Sequence, residues 1–444
     1  MVKENLIYNK PVTGRNLMGF AVPTMIRMVF ISMYSIVDGI VVSNFVGSVG
    51  LSAINIVYPV LNITMALAFM FGMGANALIG KKMGEGKLED ARSFLTLTVI
   101  LNVSLVALLT MGFFLIDEKI YMLMGSDAAL LPYCVEYGNI MVAISPVWVM
   151  QVLFQSFLVT ADKPKMGLCL SVVSGVLNVA LDLIFVGIFD MGLTGAALAS
   201  SVGICIGGLI PLTVFLNKKN LLHFVKPVWV TRDVLKAMGN GSSEMVVNLA
   251  SAVTTALFNI QMMNLVGEKG VAAISAILYL QFVFVAIFIG FTSGLGPLVS
   301  YNYGAGNRDN IKKIFGFALK FTLIFSGAMV VAAEIFNRPL TMIFASKDPA
   351  LAELMIGGFA ILAVSIFFSG ICILASGFFT ALNNGKVSAL ISFMRTFALQ
   401  AGALVLLPII WGINGVWWTL PVSEALSAVI AVCLLIKYRK EYGY

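Results

Sequence analysis

Asp38, Asn178, Asp182 and Ser200 form the first group of residues whose types could do chemistry. Asn178 precedes Asp182 by one helical turn, so a helix carries both on one face. Ser200 closes the small-residue run Gly195-Ala196-Ala197-Leu198-Ala199-Ser200. A carboxylate pair with an amide and a hydroxyl suits a hard monovalent cation such as Na⁺, held by Asp38, Asn178 and Asp182 with Ser200 beside them. It also suits H⁺, because two carboxylates in a low-dielectric site cannot both stay ionised cheaply. The plainer reading is that Asp38 or Asp182 bonds a neighbouring helix. A second group holds Glu244, Arg395 and Glu424. Arg395 with either acid would make a structural ion pair, and Glu244 is the better candidate for a substrate or a proton. Catalysis lacks its parts. There is one histidine, His223, with no HExxH, no CxxC and no GxxxxGK[ST] loop. Neither a nucleophile with its base nor a metal centre can be assembled, and an ATP-driven pump is unsupported.

These charges need reasons because the chain around them is apolar. Hydrophobic residues make up 60% of 444 and charged residues 11%, against roughly 25% charged in soluble proteins. Lipid must cover such a surface. A charge near the bilayer centre costs at least about 2.5–3.5 kcal/mol on insertion scales. Long apolar runs predict an all-α integral membrane protein with twelve transmembrane helices. They fall near 15–42, 51–79, 92–116, 129–157, 166–188, 193–216, 233–263, 271–300, 311–333, 351–379, 387–410 and 413–437. The runs are continuous rather than alternating, which disfavours a barrel. The polar start and a first span longer than a signal peptide's apolar stretch of about 7–15 residues predict no cleaved leader. Five cysteines (Cys134, Cys169, Cys205, Cys372, Cys433) fall in apolar runs without ligand spacing and read as packing residues.

The connections sort by charge. One set carries Lys81, Lys82 and Lys87; Lys163 and Lys165; Lys218, Lys219, Lys226 and Arg232; Arg308, Lys312 and Lys313; and Lys386. Both termini join it through Lys3, Lys10 and Arg15 and through Lys437, Arg439 and Lys440. The alternate set is short or mixed, with Asp117-Glu118-Lys119, Asp190, Glu268-Lys269, and Arg338 with Lys347 and Asp348. The basic set faces the cytoplasm by the positive-inside rule, which puts both termini inside a multi-pass plasma-membrane protein. The net charge of +7 is then a topology signal rather than a nucleic-acid footprint.

The chain is also written twice, 220 positions apart. Gly74, Gly84, Gly86, Gly192 and Gly195 fall on Gly294, Gly304, Gly306, Gly412 and Gly415 without a gap. Six spans per half start each half on the same side, so two pseudo-symmetric parallel six-helix lobes are expected. The lobes are 1–217 and 233–444, joined by a basic linker at 218–232 that leaves His223 solvated. Asp38, Glu244 and Glu424 fall on Phe258, Thr24 and Ile204, so the repeated scaffold does not demand them. Gly203 with Gly207 and Gly290 with Gly294 predict close helix packing.

On these features the chain resembles the multidrug and toxic compound extrusion (MATE) transporters over essentially its whole length. The resemblance rests on the paired loops Gly84-Glu85-Gly86 and Gly304-Ala305-Gly306, and on Asp38-Gly39-Ile40-Val41-Val42. Asn178 with Asp182 and Gly192-Leu193-Thr194-Gly195-Ala196-Ala197 complete it. It implies export of cationic amphipathic drugs or metabolites against an inward Na⁺ or H⁺ gradient, by rocking of two lobes, with no cofactor. It also implies that Asp38, Asn178, Asp182 and Ser200 are the first-lobe cation site. A monomer supplies the whole pathway. The pattern departs from one branch, which carries acids deeper in span 7 and in span 10. Gly241-Ser242-Ser243-Glu244, with Arg395 and Glu424, looks like the branch of the Gram-positive exporters. A lipid-linked saccharide flippase of the same superfamily is the alternative; its anionic cargo would want basic residues in the cavity, and only Arg27 and Arg395 are available.

Overall fold

A computed structural model describes residues 6–345 and 348–444; within these, the side chains of 35, 36, 38–45, 47, 48 and 51 fall outside the description. The side chain of Asp38 is among the latter, and Lys3 and Lys347 lie outside the described residues altogether. The described residues are helical, as continuous apolar runs require. α1 is Gly14–Phe45, α2 Gly47–Gly84 and α3 Leu88–Phe113. A short α4, Asp117–Leu123, precedes α5, Leu131–Thr160. α6, Pro164–Asp182, runs into one wide π turn at Leu183–Ile188, and α7 is Gly192–Leu216. The second half follows with α8 Thr231–Leu265, α9 Glu268–Gly304, α10 Arg308–Ile335 and a short α11, Asn337–Ala345. Then come α12 Pro349–Ala363, α13 Ser365–Ala381, α14 Gly385–Phe393, α15 Leu399–Trp411 and α16 Ile413–Tyr442. A second π turn, Met394–Ala398, joins α14 to α15.

Among the described residues, eleven segments are long and apolar enough to cross a membrane, and α12 with α13 supply a twelfth that bends by 44°. The bend at Val364 has no proline. Gln281 of α9 instead donates to the Ser365 hydroxyl at 3.0 Å, a buried polar contact that seats the break. Large apolar side chains such as Leu108, Ile324 and Ile409 stand outward on these helices. Such a surface suits hydrocarbon rather than water.

The chain packs as two compact units. One holds residues 26–241 and the other 1–25 with 242–444. The unit boundaries fall inside α1 and α8 rather than at the 218–232 linker. Each unit repeats the other's pairing. In the first, α2 packs on α5 and α3, and α7 on α5 and α6; in the second, α9 packs on α13 and α10, and α16 on α13 and α15. The turns after α2 and α9 are built alike. Gly86 and Gly306 take φ of 78° and 69°, a left-handed conformation that favours glycine. Lys87 N–H then bonds Lys82 O, as Asn307 N–H bonds Asn302 O, closing the helix end with a six-residue bond. Before α12, Asp348 accepts from Lys269 and from the amides of Leu351 and Ala350, which holds its carboxyl below the usual range.

The linker packs instead of floating. Phe224 packs its ring against Phe154 and Phe215, and Val225 N–H donates to Thr96 Oγ1 at 3.1 Å. His223 is consequently buried, its Nδ1 3.0 Å from Asn220 O, which corrects the expectation of a solvated loop histidine.

Small residues set the closest helix approaches. Gly74 of α2 meets the Ala237 carbonyl of α8, and Gly241 of α8 meets the Met70 carbonyl of α2. In the other unit, Gly290 and Gly294 of α9 take the backbone of α1 at 21–25. Near the first of these crossings, Lys82 pairs with Asp233 at 2.8 Å. A Cβ at Gly241 would fall inside the opposing backbone, whereas a Cβ added at Gly239, two residues earlier, would meet nothing within 4 Å among the described residues. Gly241→Val is therefore expected to destabilise the purified protein by about 1–3 kcal/mol or more. Gly239→Ala should change it by no more than about 1 kcal/mol. Thermal unfolding in detergent reads both, and equal shifts for the two variants would remove the crossing from the account.

Candidate functional site

The first cluster is built by α6 and α7 of the 26–241 unit. α6 holds Asn178 and Asp182 one turn apart on its buried face; Asn178 is 5% exposed and Asp182 0%. Asn178 Nδ2 donates to Ser200 Oγ of α7 at 3.2 Å. Its Oδ1 is buried and accepts no hydrogen bond among the described residues. Glycines bring the elements together. Gly203 of α7 lies against the Ser174 carbonyl and the Cβ of Asn178. Gly207 opens the same face of α7 to Gln151 of α5, and Gly175 of α6 admits the rings of Phe30 and Tyr34 from α1. Both expected GxxxG pairs thus serve packing.

The start of α7 is fixed by Glu136 of α5, which accepts from the Thr194 amide at 3.1 Å and from its hydroxyl at 2.6 Å. An acid at a helix N-terminus also opposes the helix dipole. Asn178 and Asp182 are therefore buried one turn apart on α6, and half-buried Ser200 of α7 meets Asn178. Asp38 lies outside the described side chains. The wide turn at Leu183–Ile188 begins right after Asp182. Such turns often sit at functional positions. No proline marks this one, so residue types alone did not predict it.

Chemically the patch offers a buried acid and a buried amide oxygen, with a half-buried hydroxyl beside the amide. Among the described residues no three His, Cys, Asp or Glu side chains gather as a metal cage. The donor set fits a proton or a singly charged cation better than a divalent one.

The second cluster lies in the other unit. Arg395, in the π turn Met394–Ala398, donates through Nε to both Glu424 oxygens, at 2.8 and 2.9 Å. Glu424 is buried, with 5% of its side chain exposed, and Arg395 is half-buried at 15%. Cys372 Sγ donates to the Glu424 carbonyl at 3.7 Å. Of the two pairings open to Arg395, the structure thus takes Glu424. Glu244 makes no ion pair within 4 Å among the described residues but lies within electrostatic range of Arg395. Its carbonyl accepts from Asn248 Nδ2 at 2.8 Å.

Comparison with known proteins agrees with this architecture. The MatE family profile matches residues 23–184 and 245–402, one stretch in each half and more than half of the chain. Multidrug export protein MepA of Staphylococcus saprophyticus is 23% identical over 461 residues, covering 99% of this chain and 97% of that one. A FAD transporter of Shewanella oneidensis is 25% identical over 432 residues, covering 94% and 93%. A MATE crystal structure in complex with MaL6 superposes with a TM-score of 0.92 at 19% identity, covering 96% of each chain. With one family stretch in each repeat, the chain belongs to the MatE family and is a multi-pass membrane transporter, not an enzyme.

Proposed function

We propose that the protein is a secondary antiporter that exports cationic amphipathic drugs or metabolites in exchange for Na⁺ or H⁺. The observation that carries this reading is buried Asp182 and Asn178 with Ser200 bonded beside them, an acid with two neutral oxygen groups on apolar helices. An intramembrane acid is expensive to keep, and a travelling cation that visits it gives a reason for keeping it. Asp38, from α1, completes the cation site on this reading, and Glu244 faces cargo or a proton in the second lobe. The covalent halves 1–217 and 233–444 act as the two lobes around the 218–232 linker. Both termini are cytoplasmic in the plasma membrane, and one chain suffices. Ion and cargo favour opposed conformations, so each promotes the release of the other.

The names of the relatives span drug export and FAD transport. FAD carries a pyrophosphate, so kinship covers cargo of more than one charge sign. A lipid-linked saccharide would need several basic contacts. Arg395 is already neutralised by Glu424, which leaves Arg27 alone and weighs against a flippase.

The test is ethidium efflux from vesicles in which ΔpH and ΔNa⁺ are imposed separately. One of the two gradients is expected to drive efflux by itself. Efflux that follows neither gradient would sink the antiport reading.

A further inference from the structure

Lys320 is a charge that neither cluster uses. It stands twelve residues into α10, about 18 Å along the helix axis from Arg308. From Ile314 onward the helix is apolar apart from Lys320 and Glu334, so a hydrocarbon edge at Ile314 puts the Lys320 backbone about 9 Å inside. Charges in spans ordinarily face the bundle interior or pair with one another. Lys320 does neither: it is exposed, and no carboxylate lies within 4 Å of its ammonium among the described residues. The buried side of α10, Ile311, Ile314, Ala318, Thr322, Ser326 and Ala333, is turned at least about 120° away around the axis. Lys320 instead shares a line with Ile324 and Val331, 75% and 58% exposed. That outward apolar side is the one that suits lipid. The internal repeat agrees. Lys320 falls on Ile100 of α3, an isoleucine 49% exposed. The scaffold asks for an outward apolar residue there, and only the second repeat carries a cation.

Two more lysines line up with it. Lys313 is two turns nearer the start of α10 and about 20° from Lys320 around the axis, with Lys312 beside it. Both are exposed, and neither has an ion pair within 4 Å among the described residues. Gly316 lies between, one turn below Lys320, and a Cβ added there would meet nothing within 4 Å among the described residues. Helical side chains lean toward the helix N-terminus, and long lysines snorkel toward the interface. Both tendencies carry the Lys320 ammonium toward the open notch at Gly316, above Lys312 and Lys313. Two acids share this side of the helix. Asp309, in the first turn, is exposed on the water side of Lys313, and Glu334 is about 21 Å beyond Lys320 at the far end. Neither is within 4 Å of a lysine ammonium.

We propose that Lys320 and Lys313, with Lys312 beside them, hold the phosphate of an anionic phospholipid in the notch at Gly316, in the cytoplasmic leaflet. The acyl chains then run along Ile324 and Val331, apolar and outward above the notch. Charge decides the class of lipid. A zwitterionic headgroup brings its own ammonium to three unpaired cations, whereas an anionic one brings net negative charge alone. From the reading above the inference takes only the orientation, both termini inside, which puts the start of α10 at the cytoplasmic face.

Native mass spectrometry of the full chain tests it, with phosphatidylglycerol or phosphatidylcholine of matched acyl chains added to the detergent. The unaltered protein is expected to bind phosphatidylglycerol at least about tenfold more strongly than phosphatidylcholine. Lys320→Leu, which supplies the kind of residue its twin Ile100 already is, should fold and weaken phosphatidylglycerol at least about tenfold and phosphatidylcholine less than about twofold. Gly316→Leu keeps all three lysines but fills the notch, and should weaken phosphatidylglycerol at least about fivefold. Lys386→Leu, which removes one exposed charge from another turn, should change it less than about twofold. Equal binding of the two lipids by the unaltered protein overturns the site, as does undiminished phosphatidylglycerol binding by Lys320→Leu or an equal loss in Lys386→Leu. Displacement of the lipid by equimolar inorganic phosphate assigns the lysines to a free anion and also overturns it. So does a Lys320→Leu protein that keeps the lipid but loses ethidium, which would put the lysine in the cargo path. Ala305→Cys, in the turn before α10, separates the orientation from the site. Its labelling in intact cells by a membrane-impermeant maleimide, beyond that of the unaltered protein, would strike the orientation and the leaflet assigned here, whatever the lipid preference.

Discussion

Asp182→Asn is expected to abolish gradient-driven efflux while the protein still folds and reaches the membrane. The substitution keeps shape and volume, and Asp182 is fully buried on α6, so little packing changes. It removes the one property that matters for exchange, a negative charge that can be neutralised by an arriving cation. To swing a two-state protein from about 1:99 to 99:1, an ion must bind one state about 10⁴-fold more tightly than the other. A neutral amide cannot supply that discrimination, and efflux should fall by at least about 100-fold. Dye binding in the absence of a gradient should persist, because the cargo's own contacts are intact. Ser200→Ala is the graded companion. It removes the acceptor of the Asn178 amide, a single neutral hydrogen bond of about 1 kcal/mol, and should weaken ion dependence about fivefold. Asp38→Asn is expected to match Asp182→Asn if the two acids act together. Undiminished efflux by Asp182→Asn, driven by the same gradient as the unaltered protein, would strip the patch of its role.

Much of this was legible in the residues because the strongest signals were periodic and redundant. Apolar runs longer than a bilayer gave every span, and the 220-residue repeat paired α2 with α9 and the loop at Gly86 with that at Gly306. Asn178 and Asp182 could be put on one face because helix geometry alone dictates it. What stayed hidden depended on tertiary contact. The π turns after Asp182 and around Arg395 carry no proline or glycine pair to announce them. The bend at Val364 is seated by Gln281, far away in sequence. His223 reads as solvated because nothing local reveals that Phe224 will lodge among Phe154 and Phe215. The choice of Arg395 between Glu244 and Glu424 was open for the same reason: both acids were within reach of a helix-packing solution, and only packing decides.

Arg395→Ala is expected to produce the largest loss of stability of any single charge removal here. Arg395 Nε bonds both oxygens of Glu424, and the acid is nearly inaccessible. Removing the cation leaves that carboxylate buried and uncompensated, a change that costs about 3–5 kcal/mol in comparable sites. The net worth of the intact pair is a different and smaller quantity, because taking two charges out of water consumes most of their attraction. Replacing both partners together, as Arg395→Met with Glu424→Leu, should therefore recover most of the stability lost by the single variant. Unfolding in detergent of the unaltered protein, Arg395→Met, Glu424→Leu and the double variant closes the double-mutant cycle. Efflux then separates scaffold from machinery. If the pair only braces its lobe, the double variant regains transport along with stability. If Arg395 also restrains Glu244, which feels its charge without touching it, the double variant is stable yet impaired. An Arg395→Ala protein as stable as the original would refute the buried pair as a structural element.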